Sequence, residues 1–73
     1  MAALARNIGK TVTIKPARPG DTIGECFAGK PGKIISVEDG MYRVCFWRAV
    51  STPVGVVCDD LWAPEFVKIQ RAS

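Results

Sequence analysis

The sequence predicts a small all-β domain of five short strands. Three observations lead to this prediction. Runs of alternating apolar and polar residues recur along the chain, proline and glycine residues separate these runs, and one pair of runs is joined by Asp39-Gly40. A sheet built from only 73 residues avoids open edges by curling into a barrel. We therefore expect a five-stranded small barrel with a 3₁₀ turn before its last strand.

The first predicted strand covers Ile8–Lys15, because Val12 and Ile14 alternate there with polar residues. Pro16 ends this strand, since proline has no N–H to donate to a neighbouring strand. Residues 1–7 precede it as an N-terminal arm, which forms either a frayed helical turn or an ordered extension. Residues 8–73 are expected to form a single domain.

A long, turn-rich segment follows at residues 16–31, with three prolines and three glycines. A segment of this length in so small a domain is either functional or folded back on itself. Ile23, Cys26 and Phe27 supply apolar anchors, so we expect an ordered loop that lies across the mouth of the barrel.

The second and third strands, at residues 33–38 and 42–48, form the clearest predicted element. Asp39-Gly40 joins them with two residues that tolerate positive φ, as a type I′ hairpin turn requires. In the second strand, strict alternation places Ile34 and Ser36 on one side and Ile35 and Val37 on the other.

The third strand has two different faces. Tyr42, Val44 and Phe46 make the better core face, so Arg43, Cys45 and Trp47 are expected to point outward. An exposed tryptophan beside an arginine is suited to stacking on a base or gripping a peptide.

The remaining chain is predicted to complete the barrel. Its expected elements are a connecting loop at residues 50–54, a fourth strand at 55–58, a 3₁₀ turn at 59–65 and a fifth strand at 66–70. Asp59 or Asp60 would cap the turn and Pro64 would end it.

This order of elements resembles the SH3-like small β-barrel over roughly residues 8–70. In such barrels the turn before the last strand plugs the open end, which implies a core role for Trp62. SH3-like accessory subunits of photosystem I and of ferredoxin-linked enzymes are similar in size and in the order of their strands.

Residues 23–46 also resemble the KOW motif of several ribosomal proteins and transcription elongation factors. The matching features are Gly29 and Gly32 around a basic residue, the strand KIISV, a turn, and the strand YRVCF. In that family the glycine lets the backbone bend where loop meets strand, and the loop contacts nucleic acid or protein. Gly32, flanked by Lys30 and Lys33, would be that glycine here.

Composition argues against catalysis. The chain has no histidine, so no side chain has an ordinary pKa near 7, and its three cysteines and its serines lack a histidine base. The cysteines form no CxxC pair, so we expect neither a metal nor another cofactor. Their odd number and the lack of a signal peptide or long apolar run indicate a soluble, cytoplasmic protein with reduced thiols.

We therefore expect a non-catalytic binding module that mediates protein–protein interaction or self-association, the latter through exposed Trp47 and Val50. A KOW-like nucleic-acid-binding module is the alternative, and the modest net charge of +3 favours a protein partner. No membrane partner is expected. The predicted binding surface consists of Lys30, Lys33, Arg43, Trp47 and Arg48.

Overall fold

The protein is described by a computed structural model over residues 2–16 and 19–70. Its elements in chain order are α1 (Ala2–Ala5), β1 (Thr11–Ile14), α2 (Thr22–Phe27), β2 (Pro31–Glu38), β3 (Met41–Thr52), β4 (Gly55–Trp62), a 3₁₀ helix (Pro64–Phe66) and β5 (Val67–Ile69). Met1 of the predicted arm, residues 17–18 of the predicted loop and residues 71–73 of the predicted domain lie outside the described residues.

All five strands belong to one antiparallel sheet with the order β4-β3-β2-β1-β5. The predicted fold class, an all-β domain of five strands with a 3₁₀ turn before the last one, is confirmed. Over the described residues the sheet is not closed, because β4 and β5 stand at opposite ends of the strand order. The barrel is therefore approximate.

The core lies on one face of this curved sheet. Tyr42, Val44 and Phe46 are buried, as the alternation in β3 predicts. Each fully buried side chain of this size stabilises the fold by about 1.5–3 kcal/mol relative to an exposed one. The other buried hydrophobic residues are Val12, Ile14, Phe27, Ile34, Val50 and Val67.

The β2–β3 hairpin turns at Asp39-Gly40, as predicted. Asp39 has φ 52° and Gly40 has φ 74°, the two positive values that a type I′ turn needs. Glu38 and Met41 pair directly on either side of the turn.

A β-bulge at Ile35 changes the predicted faces of β2. Ile34 pairs with Val44 and Ser36 pairs with Arg43, so Ile35 has no partner of its own on β3. Ser36 consequently lies on the outer face with Arg43, opposite to Ile34. The prediction that Ile34 and Ser36 share a face is wrong, because an unpaired residue reverses the alternation beyond it.

Gly32 allows β2 to approach β3 closely. It is buried, and a Cβ at this position would lie 2.7 Å from the Cys45 carbonyl oxygen and 2.8 Å from Val44 Cγ1. Gly32 therefore lies within the strand as a close-contact residue, where any side chain would collide with β3.

The predicted connecting loop at residues 50–54 is wrong, because β3 continues to Thr52 and pairs with β4. Pro53 and Val54 form a two-residue turn between these strands. Because Pro53 lies in the turn, its missing N–H does not interrupt the hydrogen bonds between β3 and β4. The Thr52 hydroxyl donates to the Gly55 carbonyl oxygen at 2.6 Å and accepts from the Val54 N–H at 3.3 Å.

β4 is longer than predicted and the 3₁₀ helix begins later. Asp59 and Asp60 are strand residues that pair with Cys45 and Val44, so neither caps the helix. Pro64 is the first residue of that helix and does not end it.

Trp62 lies at the end of β4 rather than in the helical turn. It pairs with Tyr42, is partly buried, and packs edge-on against Phe27 with ring centroids 5.1 Å apart. Its contact with the core agrees with the predicted core role, although its element differs.

The chain before β1 forms turns, so β1 begins at Thr11 and not at Ile8. The Ile8 N–H donates to the Ala5 carbonyl oxygen at 3.1 Å. Gly9 adopts φ 94° and donates its N–H to the Ile34 carbonyl oxygen at 2.7 Å. These contacts bring the N-terminal residues to β2, and the Asn7 amide donates to the Tyr42 hydroxyl at 2.7 Å.

Candidate functional site

A short helix, α2, occupies the middle of the segment that was predicted to be a loop. Asp21 caps it by accepting the Gly24 N–H at 2.9 Å, and Phe27 is buried in the core. Two sequence signals could have revealed it: the capping aspartate, and the i, i+3, i+4 spacing of Ile23, Cys26 and Phe27. The many prolines and glycines around it concealed this pattern.

The third strand bends where it passes α2. Cys45 pairs with Asp59 and Val50 pairs with Val57. Between these two pairs β3 advances by five residues while β4 advances by only two. The extra residues of β3 form an irregular stretch in which Trp47 is 54% exposed. The bend presents this tryptophan on the surface while Val50 returns to the core.

A groove forms between α2 and this bend. Its volume is about 840 Å³, within the range of ligand-binding clefts. We call it the Trp47 groove. It is lined by Glu25, Cys26 and Ala28 in and just after α2, by Lys30 and Pro31, and by residues 47–51 of β3.

Three of the five predicted binding residues line the Trp47 groove: Lys30, Trp47 and Arg48. Lys33 and Arg43 do not line it. Lys33 is exposed on β2, opposite Cys45, in a row that continues across the sheet to Asp59. Glu25 and Cys26, the groove residues that belong to α2, were not predicted as site residues because the helix itself was not predicted.

Arg43 is held in a network of carboxylates on the outer face of the sheet. Its Nε donates to Glu38 Oε2 at 2.6 Å and its Nη2 donates to Glu38 Oε1 at 3.1 Å. Its Nη1 donates to Asp59 Oδ1 at 3.3 Å. This bidentate pairing uses the guanidinium fork within the protein, so Arg43 contributes little free positive charge to a ligand.

The same network changes the acidity of Glu38. Hydrogen bonds from Arg43 and, to a smaller extent, from Ser36 lower the pKa of Glu38 from 4.5 to about 2. The Ser36 hydroxyl reaches Glu38 Oε2 at 2.8 Å because the bulge at Ile35 places Ser36 on this face. The cluster connects β2, β3 and β4.

A second, smaller cavity of about 350 Å³ lies near the 3₁₀ helix. Met41, Leu61 and Phe66 contribute apolar surface to its lining, and Lys15 also lines it. Trp62 Nε1 is buried and has no hydrogen-bond partner among the described residues.

The remaining candidate chemistry is limited. Cys26, Cys45 and Cys58 are free thiols. Within residues 2–16 and 19–70 there is no group of three side chains placed to bind a metal ion. In the same part of the chain no helix has the length and apolar character needed to cross a membrane.

Comparison with known proteins identifies no relative. No family model matches the chain, and neither a curated protein nor a solved structure does so.

Proposed function

We propose that this protein is a non-catalytic binding module whose Trp47 groove binds an extended segment of a partner protein. The observation that carries the proposal is the exposure of Trp47 in a groove that it shares with Lys30 and Arg48. A tryptophan whose ring is half-exposed at the wall of a groove offers a large apolar surface that a partner can cover, and tryptophan and arginine dominate binding energy at interfaces.

The lining of the groove favours a peptide over a compact small molecule. Cys26, Pro31 and Ala49 contribute apolar surface beside the charged groups, and the groove is partly open to solvent. Lys30 and Arg48 outnumber the single acid Glu25. A partner segment with an apolar side chain for Trp47 and acidic side chains beside it would complement this surface.

The resemblance to SH3-like barrels supports the proposal. Such domains bind extended peptides in aromatic-lined grooves, and here the segment between β1 and β2 forms one wall of an aromatic groove. We further infer a cytoplasmic location, since free thiols are typical of reducing compartments.

Selection from a random peptide library displayed on phage tests the proposal. Peptides enriched on the wild-type protein should lose affinity at least about thirtyfold on Trp47→Ala, because a central tryptophan contributes about 2 kcal/mol or more. Ile35→Ala is the matched control, since Ile35 is 44% exposed and does not line the groove. Failure to enrich any peptide, or equal affinity for wild type and Trp47→Ala, would refute the proposal.

Nucleic-acid binding is the second candidate, because Lys30 and Arg48 flank an aromatic ring on which a base could stack. The pairing of Arg43 with Glu38 and Asp59 reduces the positive surface available to it. An NMR titration with a mixed-sequence oligonucleotide at low and physiological salt decides the question. Shifts at Lys30, Lys33 and Trp47 would support this candidate. The affinity derived from them should fall by about 0.7–0.9 log units per decade of salt for each phosphate contacted. An unchanged spectrum at low salt would exclude it.

A further inference from the structure

The free edge of β4 is a surface separate from the Trp47 groove. β4 stands at the end of the strand order and pairs only with β3 within the described residues. None of its residues is buried. An edge strand presents unpaired N–H and C=O groups that can pair with another strand.

Charge is distributed unevenly along this edge. Asp59 and Asp60 lie in its second half, where charged side chains discourage strand pairing. The first half, Gly55–Cys58, has no charged residue, and we call it the uncharged edge. Val56 is 68% exposed there, and Val54 in the preceding turn is 75% exposed. Val54 and Val56 are the two most exposed of the large hydrophobic residues in the described chain.

The sequence of the uncharged edge is compatible with pairing to itself. In an antiparallel pair centred on Val57, Val56 faces Cys58 of the second copy and Gly55 faces Asp59 of the second copy. No acidic residue then faces another. A pair centred on Asp59 would instead oppose like charges, which destabilises a strand pair. The charges therefore disfavour the register centred on Asp59 and permit the one centred on Val57.

We propose that the uncharged edge binds the same edge of a second copy of this chain, forming a two-fold symmetric dimer with Val57 at the axis. The pairing joins the two five-stranded sheets into one continuous sheet and covers Val56 of both copies. It does not depend on the Trp47 groove, because no residue of β4 lines that groove. The prediction that Val50 is exposed and contributes to self-association is wrong, because Val50 is a core residue with 4% exposure.

Sedimentation equilibrium over a range of protein concentrations tests the dimer. The wild-type protein should dimerise, and Val56→Lys should weaken the dimer at least about tenfold, because each dimer would place two lysines at the paired edge. Ile8→Lys is the control, since Ile8 is 46% exposed and lies outside β4. A wild-type protein that stays monomeric, or a dimer that Val56→Lys leaves intact or that Ile8→Lys weakens equally, overturns the proposal.

Disulfide cross-linking tests the register separately. In a background of Cys26→Ser and Cys45→Ser, V56C should form a covalent dimer on oxidation through Cys58 of the second copy. Cys58 alone should not, because the register centred on Val57 does not place it opposite itself. Cross-linking of Cys58 alone at the same rate as V56C, or of neither protein, contradicts this register, and so does cross-linking of V56C that persists after Cys58→Ser.

Discussion

Gly32 shows how the absence of a side chain can determine a strand contact. The space that its Cβ would fill is occupied by the Cys45 carbonyl and by Val44 Cγ1. Its backbone needs no positive φ, so the constraint is the distance between β2 and β3. The KOW-like pattern singles out Gly32 in the sequence. The reason that a glycine is needed there follows only from its pairing with Phe46 on β3.

Gly32→Ala should destabilise the protein by about 3 kcal/mol, since the backbone of β2 or β3 must move to admit a methyl group. Chemical denaturation of both proteins measures the difference. Gly29→Ala is the comparison: Gly29 has φ 73° and open space around it, so its cost should be about 1 kcal/mol. Equal losses of stability for the two variants would show that the close approach of β2 and β3 at Gly32 does not determine the cost of the substitution.

Glu38 makes folding stability depend on acidity. Its pKa is about 2 in the folded chain and near 4.5 when unpaired, so the unfolded chain takes up the proton first. The stabilisation from this carboxylate is therefore complete above pH 4.5 and declines as the pH falls towards 2.

NMR titration of the Glu38 carboxyl carbon should give a midpoint near pH 2 in the wild-type protein. Arg43→Gln should raise that midpoint towards 4.5, and Ser36→Ala should raise it less, since Arg43 supplies the larger hydrogen-bonding effect. A wild-type midpoint near 4.5 would mean that the Arg43–Glu38 pair is not maintained in solution.

At the scale of elements, local patterns predicted some features and missed others for identifiable reasons. The β2–β3 hairpin was predictable because Asp39-Gly40 specifies its turn. The faces of β2 beyond Ile35 and the bend in β3 were not, since an unpaired residue leaves no mark in an alternating apolar pattern. α2 was not predicted because its six residues give fewer than two helical turns of pattern, among several prolines and glycines.

Asp21→Ala should loosen α2, because the Gly24 N–H loses its acceptor. We expect a loss of about 1 kcal/mol in helix stability, seen as faster hydrogen exchange of the amides in α2. Asp21→Asn is the control, since asparagine caps helices nearly as well as aspartate. If Asp21→Asn exchanges as fast as Asp21→Ala, capping is not what holds this helix.

In the molecule as a whole, the two proposed interaction surfaces lie on different parts of one sheet. The Trp47 groove depends on α2 and the bend in β3, whereas the uncharged edge depends on the position of β4 at the end of the sheet. The sequence identified Lys30, Trp47 and Arg48 as candidates without showing that they meet. Composition could not separate them from Arg43, whose charge is paired across strands.

Chemical-shift mapping with a library-selected peptide tests whether the Trp47 groove is the binding site. Addition of the peptide to isotope-labelled protein should shift the Trp47 indole N–H and the amides of Lys30, Arg48 and α2, while amides of β5 stay unchanged. The same titration of Trp47→Ala should produce little change. Shifts confined to surfaces away from the groove, or shifts that persist undiminished in Trp47→Ala, would show that the peptide does not bind in the Trp47 groove.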